Sequence, residues 1–324
     1  MNVLITGGAG FLGAHAFVAL QEAGHRVFVY DRAQPAPDMV FLAPRLAQDL
    51  RIGAIDELQR MADVCRSDRI DAIIHMAALV GFEPSLQNPA AFYSTNVMGL
   101  VNVCEAARLT GVRRLITISS SSVYHAAQTG RLVETDVTFS VTRANPSAHY
   151  GTSKMAGEAI GMAYSEFSGL DFLALRVSAI YGFGMRSALH IKPMVEDAVL
   201  GRPTRIATGG RMKRDFVHVL DVASALVRAL GSDRDRPGEQ RVLNISSGQL
   251  YLSSDLANRV RCLIASADIE IGQDMTALEE ENLRLRAPLD NSMAKTVLGW
   301  TPAWAIEEGL AHYAETFRAF LRSG

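Results

Sequence analysis

Three glycines, Gly7, Gly10 and Gly13, interrupt the chain where a short apolar run, Val3-Leu4-Ile5, gives way to residues 11–23, whose apolar side chains recur at helical spacing. Glycine lets a backbone turn tightly and approach a ligand closely, and the free N–H groups at a helix start attract an anion. Val27-Phe28-Val29-Tyr30 then reads as a second strand that ends at Asp31. Strand, glycine turn, helix and strand make a βαβ unit, which belongs in a parallel sheet.

The alternation continues. Residues 70–76 and 115–119 read as buried strands, 92–110 and 150–167 as helices, and 172–177 as a further strand. Parallel crossovers at this spacing bury both faces of a sheet, so we expect an α/β chain with a Rossmann-type doubly wound parallel sheet. Beyond Tyr181 the rhythm loosens. Helices at 191–200, 220–230 and 309–320 and a strand at 241–245 are separated by glycine-interrupted stretches, as in a smaller, discontinuous C-terminal substrate-binding region. Residues 1–176, completed by parts of 213–246, form the dinucleotide-binding domain on this reading, and 177–212 with 247–324 mainly the substrate-binding one.

Composition narrows the partners. The 324 residues carry 32 basic and 34 acidic side chains, a net charge of -2, so a polybasic nucleic-acid binder is excluded. A hydrophobic fraction of 48% excludes wholesale disorder. Cys65, Cys104 and Cys262 lie far apart and form no CxxC pair, which points to reduced thiols rather than disulfides or a cysteine zinc cluster. His75 and His218 have no spaced His/Asp/Glu cluster around them, so no metal is expected. With no signal-peptide pattern at Met1 and no run of about 18 apolar residues, a cytoplasmic protein with no membrane partner is expected.

Two constellations carry chemistry. Asp31, at the end of the second strand, can accept hydrogen bonds from an adenosine ribose and repels a 2'-phosphate, which favours NAD over NADP, while the neighbouring Arg32 partly offsets that repulsion. Tyr150 and Lys154, four residues apart on a predicted helix, share one face. A phenol is a poor base at neutral pH unless a nearby cation stabilises the phenolate, and Lys154 supplies that cation. A serine from the turn after residues 115–119 can orient the substrate hydroxyl whose proton Tyr150 takes.

These residues give the chain its likeness. It resembles the extended short-chain dehydrogenases/reductases, in the branch of NAD-dependent sugar epimerases and dehydratases, through Thr6-Gly7-Gly8-Ala9-Gly10-Phe11-Leu12-Gly13, His75-Met76-Ala77-Ala78, Asn96 in Thr95-Asn96-Val97-Met98-Gly99, and Tyr150-Gly151-Thr152-Ser153-Lys154. Two later stretches, Arg214-Asp215-Phe216-Val217-His218-Val219 with Asp221 and Leu298-Gly299-Trp300-Thr301-Pro302, resemble C-terminal signatures of the branch. The resemblance implies NAD held by the glycine turn with Phe11 and Leu12, by Asp31, by Asp49 and Leu50 at the adenine, by Ala77, Ala78 and Asn96, and by Tyr150 and Lys154. It implies a homodimer and catalysis by Ser120, Tyr150 and Lys154, with Ser121 the other serine at the substrate. Asp221 is expected to cap the helix that follows it.

The departures sort the reactions. Dehydratases of this branch follow the active-site threonine with Asp-Glu, where this chain has Ser121 and Ser122, neither able to act as a carboxylic acid. Ala179 stands where many relatives place an asparagine that holds the sugar diphosphate, and alanine has no donor to offer. Arg214 matches the basic residue that binds the nucleotide phosphates; Arg286 or Arg284 is a second clamp, and Arg186 is expected to line the cleft. The expected reaction is nucleotide-sugar epimerisation through a transient ketone. The alternatives are an NAD-dependent sugar or sugar-acid dehydrogenase, then a dehydratase or a non-catalytic NAD-binding protein.

Overall fold

The structure is a computed structural model and describes residues 1–125, 130–233, 240–284 and 286–323. Its strands are β1 (Asn2–Thr6), β2 (Arg26–Asp31), β3 (Leu50–Ile52), β4 (Ala72–His75), β5 (Arg114–Ser120), β6 (Asp171–Val177), β7 (Ala179–Tyr181), β8 (Thr204–Ile206), β9 (Lys213–His218), β10 (Val242–Ile245), β11 (Leu250–Leu252) and β12 (Ile269–Ile271). Seven form one parallel sheet in the order β10-β6-β5-β4-β1-β2-β3. The order reverses between β1 and β4, and in a sheet of this kind ligands bind beyond the carboxyl ends of the strands at that reversal.

Val3, Leu4 and Ile5 are fully buried, and alternate side chains leave by opposite faces. Val3 and Ile5 pack with Val27 and Val29 against the helices Phe11–Glu22 and Val219–Gly231. Leu4 packs with Phe28 and Ile73 against the helices Leu58–Ser67 and Gly99–Thr110. Burial on both sides is why the strand reads as an unbroken apolar run, and truncating Leu4 to alanine costs about 2–5 kcal/mol. A third cluster, with Tyr181, Ile191, Phe216, Leu256 and Tyr313, gathers the later elements around two small sheets, β11-β9-β7 and β12-β8.

The helix expected over 92–110 is built in three pieces. Pro89–Phe92 is α-helical, Tyr93–Met98 winds as a π-helix, and Gly99–Thr110 is α-helical again. π turns recur at functional sites, and this one carries Asn96. Asp221 does not cap its own helix: it sits inside Val219–Gly231, and its carboxylate accepts the amides of Ala303 (2.7 Å) and Trp304 (3.2 Å), tying the Trp300 segment to the sheet. Strand β3 and the helix Leu58–Ser67 are elements that the periodicity of the chain did not announce. Among the described residues no helix is long and apolar enough to cross a membrane, and no group of three or more His, Cys, Asp or Glu side chains is placed to hold a metal ion.

Candidate active site

A cleft of about 730 Å³ opens over the carboxyl ends of the strands. At one wall β1 runs into Gly7, whose φ is +72° and where a Cβ would lie 2.6 Å from the amide nitrogen of Ala77. At Gly13 a Cβ would lie 2.4 Å from the Cα of Gly8. Only glycine permits both approaches. Gly10 is the N-cap of the helix Phe11–Glu22 and no side chain caps it, so the first-turn amides stay open toward the cleft. Phe11 and Leu12 line the cleft with them, and Ala77 and Ala78 face them from beyond β4.

Asp31 closes β2. Its carboxylate is fixed by two backbone amides, Ala9 (3.1 Å) and Ala33 (3.2 Å), and still lines the cleft beside Arg32. A carboxylate so held keeps lone pairs for the two hydroxyls of a ribose. Asp49 and Leu50 are not part of this wall. In the β2–β3 register Val29 pairs with Leu50 and Asp31 with Ile52, so Asp49 and Leu50 lie at the amino end of β3, and the residues at its carboxyl end, Gly53 to Asp56, line the cleft instead. Asn96 also lies outside the cleft. It is 5% exposed, accepts the Leu79 amide (2.8 Å), and donates to the Leu79 carbonyl (2.9 Å) and the Ser153 hydroxyl (3.0 Å). It thus ties the segment after Ala78 to the helix Ala148–Ser168. A dinucleotide fits this cradle: open amides, a glycine floor and an anchored carboxylate stand in the order that a pyrophosphate and a ribose require.

Strand β5 delivers the serines. The Ser119 hydroxyl is committed to Glu158 (2.5 Å), while Ser120 accepts the Ser122 amide (3.1 Å) and lies beside the Tyr150 phenol. Ser121 and Ser122 also line the cleft. The helix Ala148–Ser168 presents Tyr150 and Lys154 one turn apart. Burial pushes the phenol above its ordinary value, against the lowering influence of the Ser120 hydroxyl. Burial brings the Lys154 ammonium down to about 8, with Glu158 acting the other way, and the ammonium donates to the Ile118 carbonyl at 2.7 Å. A phenol, a hydroxyl donor and a cation at one end of a cleft can move a proton on and off a substrate oxygen.

Arginines supply the positive charge of the cleft. Arg214 on β9 and Arg286 both line it, and among the described residues neither forms a salt bridge. Burial, and then the charge of Arg214, bring Arg286 down to about 9, and its Nε has no hydrogen-bond partner. Two neighbouring half-buried cations with no salt bridge among the described residues make a site for an anion, and Glu279 offsets only the charge of Arg214. Arg186 lines the cleft as well, but its guanidinium is ion-paired with Asp38 (2.6 Å). Ala179 lines it with no polar side chain, and the Arg284 side chain lies outside the described residues. Sequence reasoning passed over Asp215. This buried carboxylate accepts the Ser247 hydroxyl (2.9 Å), the Ser247 amide (3.1 Å) and the Leu289 amide (3.1 Å), which pins the segment that carries Arg286.

A model of the NAD dependent epimerase/dehydratase family matches residues 3–246. A UDP-glucose 4-epimerase of Mycolicibacterium smegmatis is 30% identical over 98% of this chain and 99% of its own length. Among solved structures, a UDP-glucose 4-epimerase of Thermotoga maritima, crystallised with UDP-glucose, superposes with a TM-score of 0.85 at 25% identity, covering 99% of this chain and 100% of its own. MoeE5, solved with UDP-glucuronic acid and NAD, superposes with a TM-score of 0.81 at 29% identity, over 98% of this chain and 99% of its own.

Proposed function

The chain belongs to the NAD dependent epimerase/dehydratase family, and from that premise we propose that it is an epimerase that inverts a ring hydroxyl of a UDP-sugar, at C4 as in its named relatives. The observation that carries the reading is the pair Arg214 and Arg286, two half-buried cations that form no salt bridge among the described residues, in the same cleft as Tyr150 and Lys154. A diphosphate supplies the missing counter-charge and accepts the forked N–H groups. The two guanidinium groups also supply donors that Ala179 lacks.

In this reading Tyr150 takes the proton of the reacting hydroxyl and later returns it to the same oxygen. Ser120 donates a hydrogen bond to that oxygen and holds it against the phenol. Lys154 favours the phenolate by its charge. The glycine turn, Asp31 and the Ala77–Ala78 backbone hold NAD. When bound, NAD supplies the centre that takes up hydride from the carbon and gives it back to the opposite face of the ketone, so that no net oxidation results.

We further propose a homodimer. On the helices Gly99–Thr110 and Ala148–Ser168 and the π turn before them, Met98, Leu109 and Met162 stand about half exposed and Phe167 is 85% exposed. These apolar side chains lie on the two helices that a symmetric four-helix contact would use.

The functional test incubates the purified protein with NAD and either UDP-glucose or UDP-glucuronate, following C4 configuration by NMR and NADH by absorbance. Inversion without accumulation of NADH is expected. NADH formed in step with product would make the protein a dehydrogenase instead, and sugars without the nucleotide should be inert.

A further inference from the structure

Behind the reacting residues, on the side away from the cleft, the helix Ala148–Ser168 meets β5 and β6 through charged side chains. Glu158 lies one turn beyond Lys154 and is 7% exposed. Both of its oxygens are engaged by Arg176 of β6, Nε to Oε1 at 2.9 Å and Nη2 to Oε2 at 2.7 Å, and Ser119 of β5 donates a third bond. Arg176 is fixed in turn by the Glu134 carbonyl (2.9 Å) and by the Tyr124 ring, 4.8 Å from its guanidinium carbon. Lys154, Glu158, Ser119, Asn96 and His75 together wall a cavity of about 10 Å³, room for one water.

An ion pair that only fastened a helix to a sheet would gain little, because desolvating two charges offsets most of their attraction, and apolar side chains of the same volume serve as well or better. Here the carboxylate stands where it acts on a third charge. Lys154 is half-buried without a carboxylate of its own; among the described residues its ammonium bonds only a carbonyl, that of Ile118. Glu158 opposes the loss of that charge across a polar, water-sized gap. We infer that Glu158 is a positioning residue for the reaction: clamped by Arg176 and Ser119, its carboxylate keeps the Lys154 ammonium charged and aimed past Tyr150. The inference rests on the proposed roles of Tyr150 and Lys154.

The other titratable groups packed here are quiet above neutral pH. His75 on β4 is driven down to about 3 by burial, so it is neutral, and Tyr124 is pushed up to about 12, so it keeps its proton. Glu134 accepts the Asn244 amide and faces Arg176 rather than Lys154. What titrates beside Glu158 between pH 7 and 10 is therefore Lys154, since burial raises the neighbouring Tyr150 above its ordinary value.

The chain has four lysines, Lys154, Lys192, Lys213 and Lys295, so the Lys154 side chain can be assigned by NMR from the signal that disappears in Lys154→Arg. In the wild type its titration is expected near pH 8. In Glu158→Gln the midpoint should fall by about one pH unit or more, because a favourable neighbouring charge is gone. The alkaline limb of kcat for UDP-sugar epimerisation should move to lower pH by the same amount, with KM changed less than about twofold. Glu158→Gln leaves Arg176 buried without its partner, so a second variant, Glu158→Leu with Arg176→Met, removes both charges and keeps the volume. It should show a fall in the same direction, smaller because the opposing charge of Arg176 is removed as well. A folded, NAD-binding double variant whose Lys154 midpoint stays at the wild-type value overturns the inference. The NMR titration needs no substrate, so a wild type that converts no UDP-sugar defeats the functional reading while this test still decides.

Discussion

Arg214 and Arg286 share one end of the cleft, both half-buried, and the charge of Arg214 adds to desolvation in bringing Arg286 down to about 9. Two like charges held together inside a protein await an anion. Hydrogen bonds to charged groups contribute about 1.5–3 kcal/mol, which is about ten- to a hundredfold in affinity. Replacing either arginine by alanine should therefore weaken UDP binding by that factor, measured by calorimetry on the NAD-loaded protein. A change below about twofold in both variants would mean that the pair does not meet the diphosphate.

Tyr150→Phe keeps the ring against Phe92, 6.3 Å between centroids, and removes only the hydroxyl. If that hydroxyl carries the proton, kcat should fall by at least about a hundredfold while NAD affinity stays within about threefold. Single-turnover kinetics separates the chemical step from binding. Undiminished turnover in a folded variant would remove Tyr150 from this role.

Which parts of this site are legible in the sequence follows from the range of the interactions that make them. The glycine turn at Gly7 and the Tyr150–Lys154 face are written in spacing alone, since a tight turn and one helical turn are local geometry. The doubly wound sheet is legible for a related reason, because two-sided burial turns each central strand into an apolar run. The wall of the cleft beyond Asp31 is different. Asp49-Leu50 and Gly53 to Asp56 lie a few residues apart, and only the pairing of Asp31 with Ile52 decides which pair stands at the carboxyl end of β3. A three-residue edge strand carries too little pattern to set that register. Asn96, Glu158 and Asp215 act through partners 17 to 74 residues away. Nothing in their immediate neighbourhood announces those partners.

If Asp31 receives the adenosine ribose, it sets the choice between cofactors. Its carboxylate is held by the Ala9 and Ala33 amides, so it cannot swing away from a 2'-phosphate, whereas Arg32 next to it is a flexible cation. NAD should bind at least about fivefold more tightly than NADP. Asp31→Asn should remove most of that preference by relieving like-charge repulsion at near-constant shape. Fluorescence titration with the two reduced cofactors measures both numbers, and a wild type that prefers NADP would overturn the assignment.

The exposed Phe167 and Met162 should be covered in solution if the helices Gly99–Thr110 and Ala148–Ser168 meet a second copy. Light scattering at micromolar protein should give twice the chain mass. Phe167→Glu with Met162→Lys should give a monomer with unchanged helical content. A monomeric wild type would leave these residues without the proposed partner.

Acid should unfold this protein through its buried histidines. His15, His75 and His218 are almost fully buried, and burial first of all lowers them from 6.5 to about 4, about 3 and about 3. The sign follows from where the protons go. Above pH 6.5 the rings are neutral in folded and unfolded chains alike, and the stability they permit is fully present. Between pH 6.5 and about 4 the unfolded chain takes up protons that the fold refuses, so stability falls with falling pH by about 1.4 kcal/mol per pH unit for each histidine. His312, lowered in the same direction beside His218, adds to the fall, whereas Asp215 and Asp221, raised by burial, oppose it at lower pH. One substitution isolates a single ring. Both ring nitrogens of His218 lack hydrogen-bond partners, and the ring packs on Trp304 at 4.6 Å between centroids, so phenylalanine fills the same space without an orphaned polar atom. His218→Phe should be at least as stable as the wild type at pH 7, and urea unfolding between pH 6.5 and 5 should lose one proton from its pH slope. An unaltered slope in the variant would show that His218 is not buried and neutral in the folded protein.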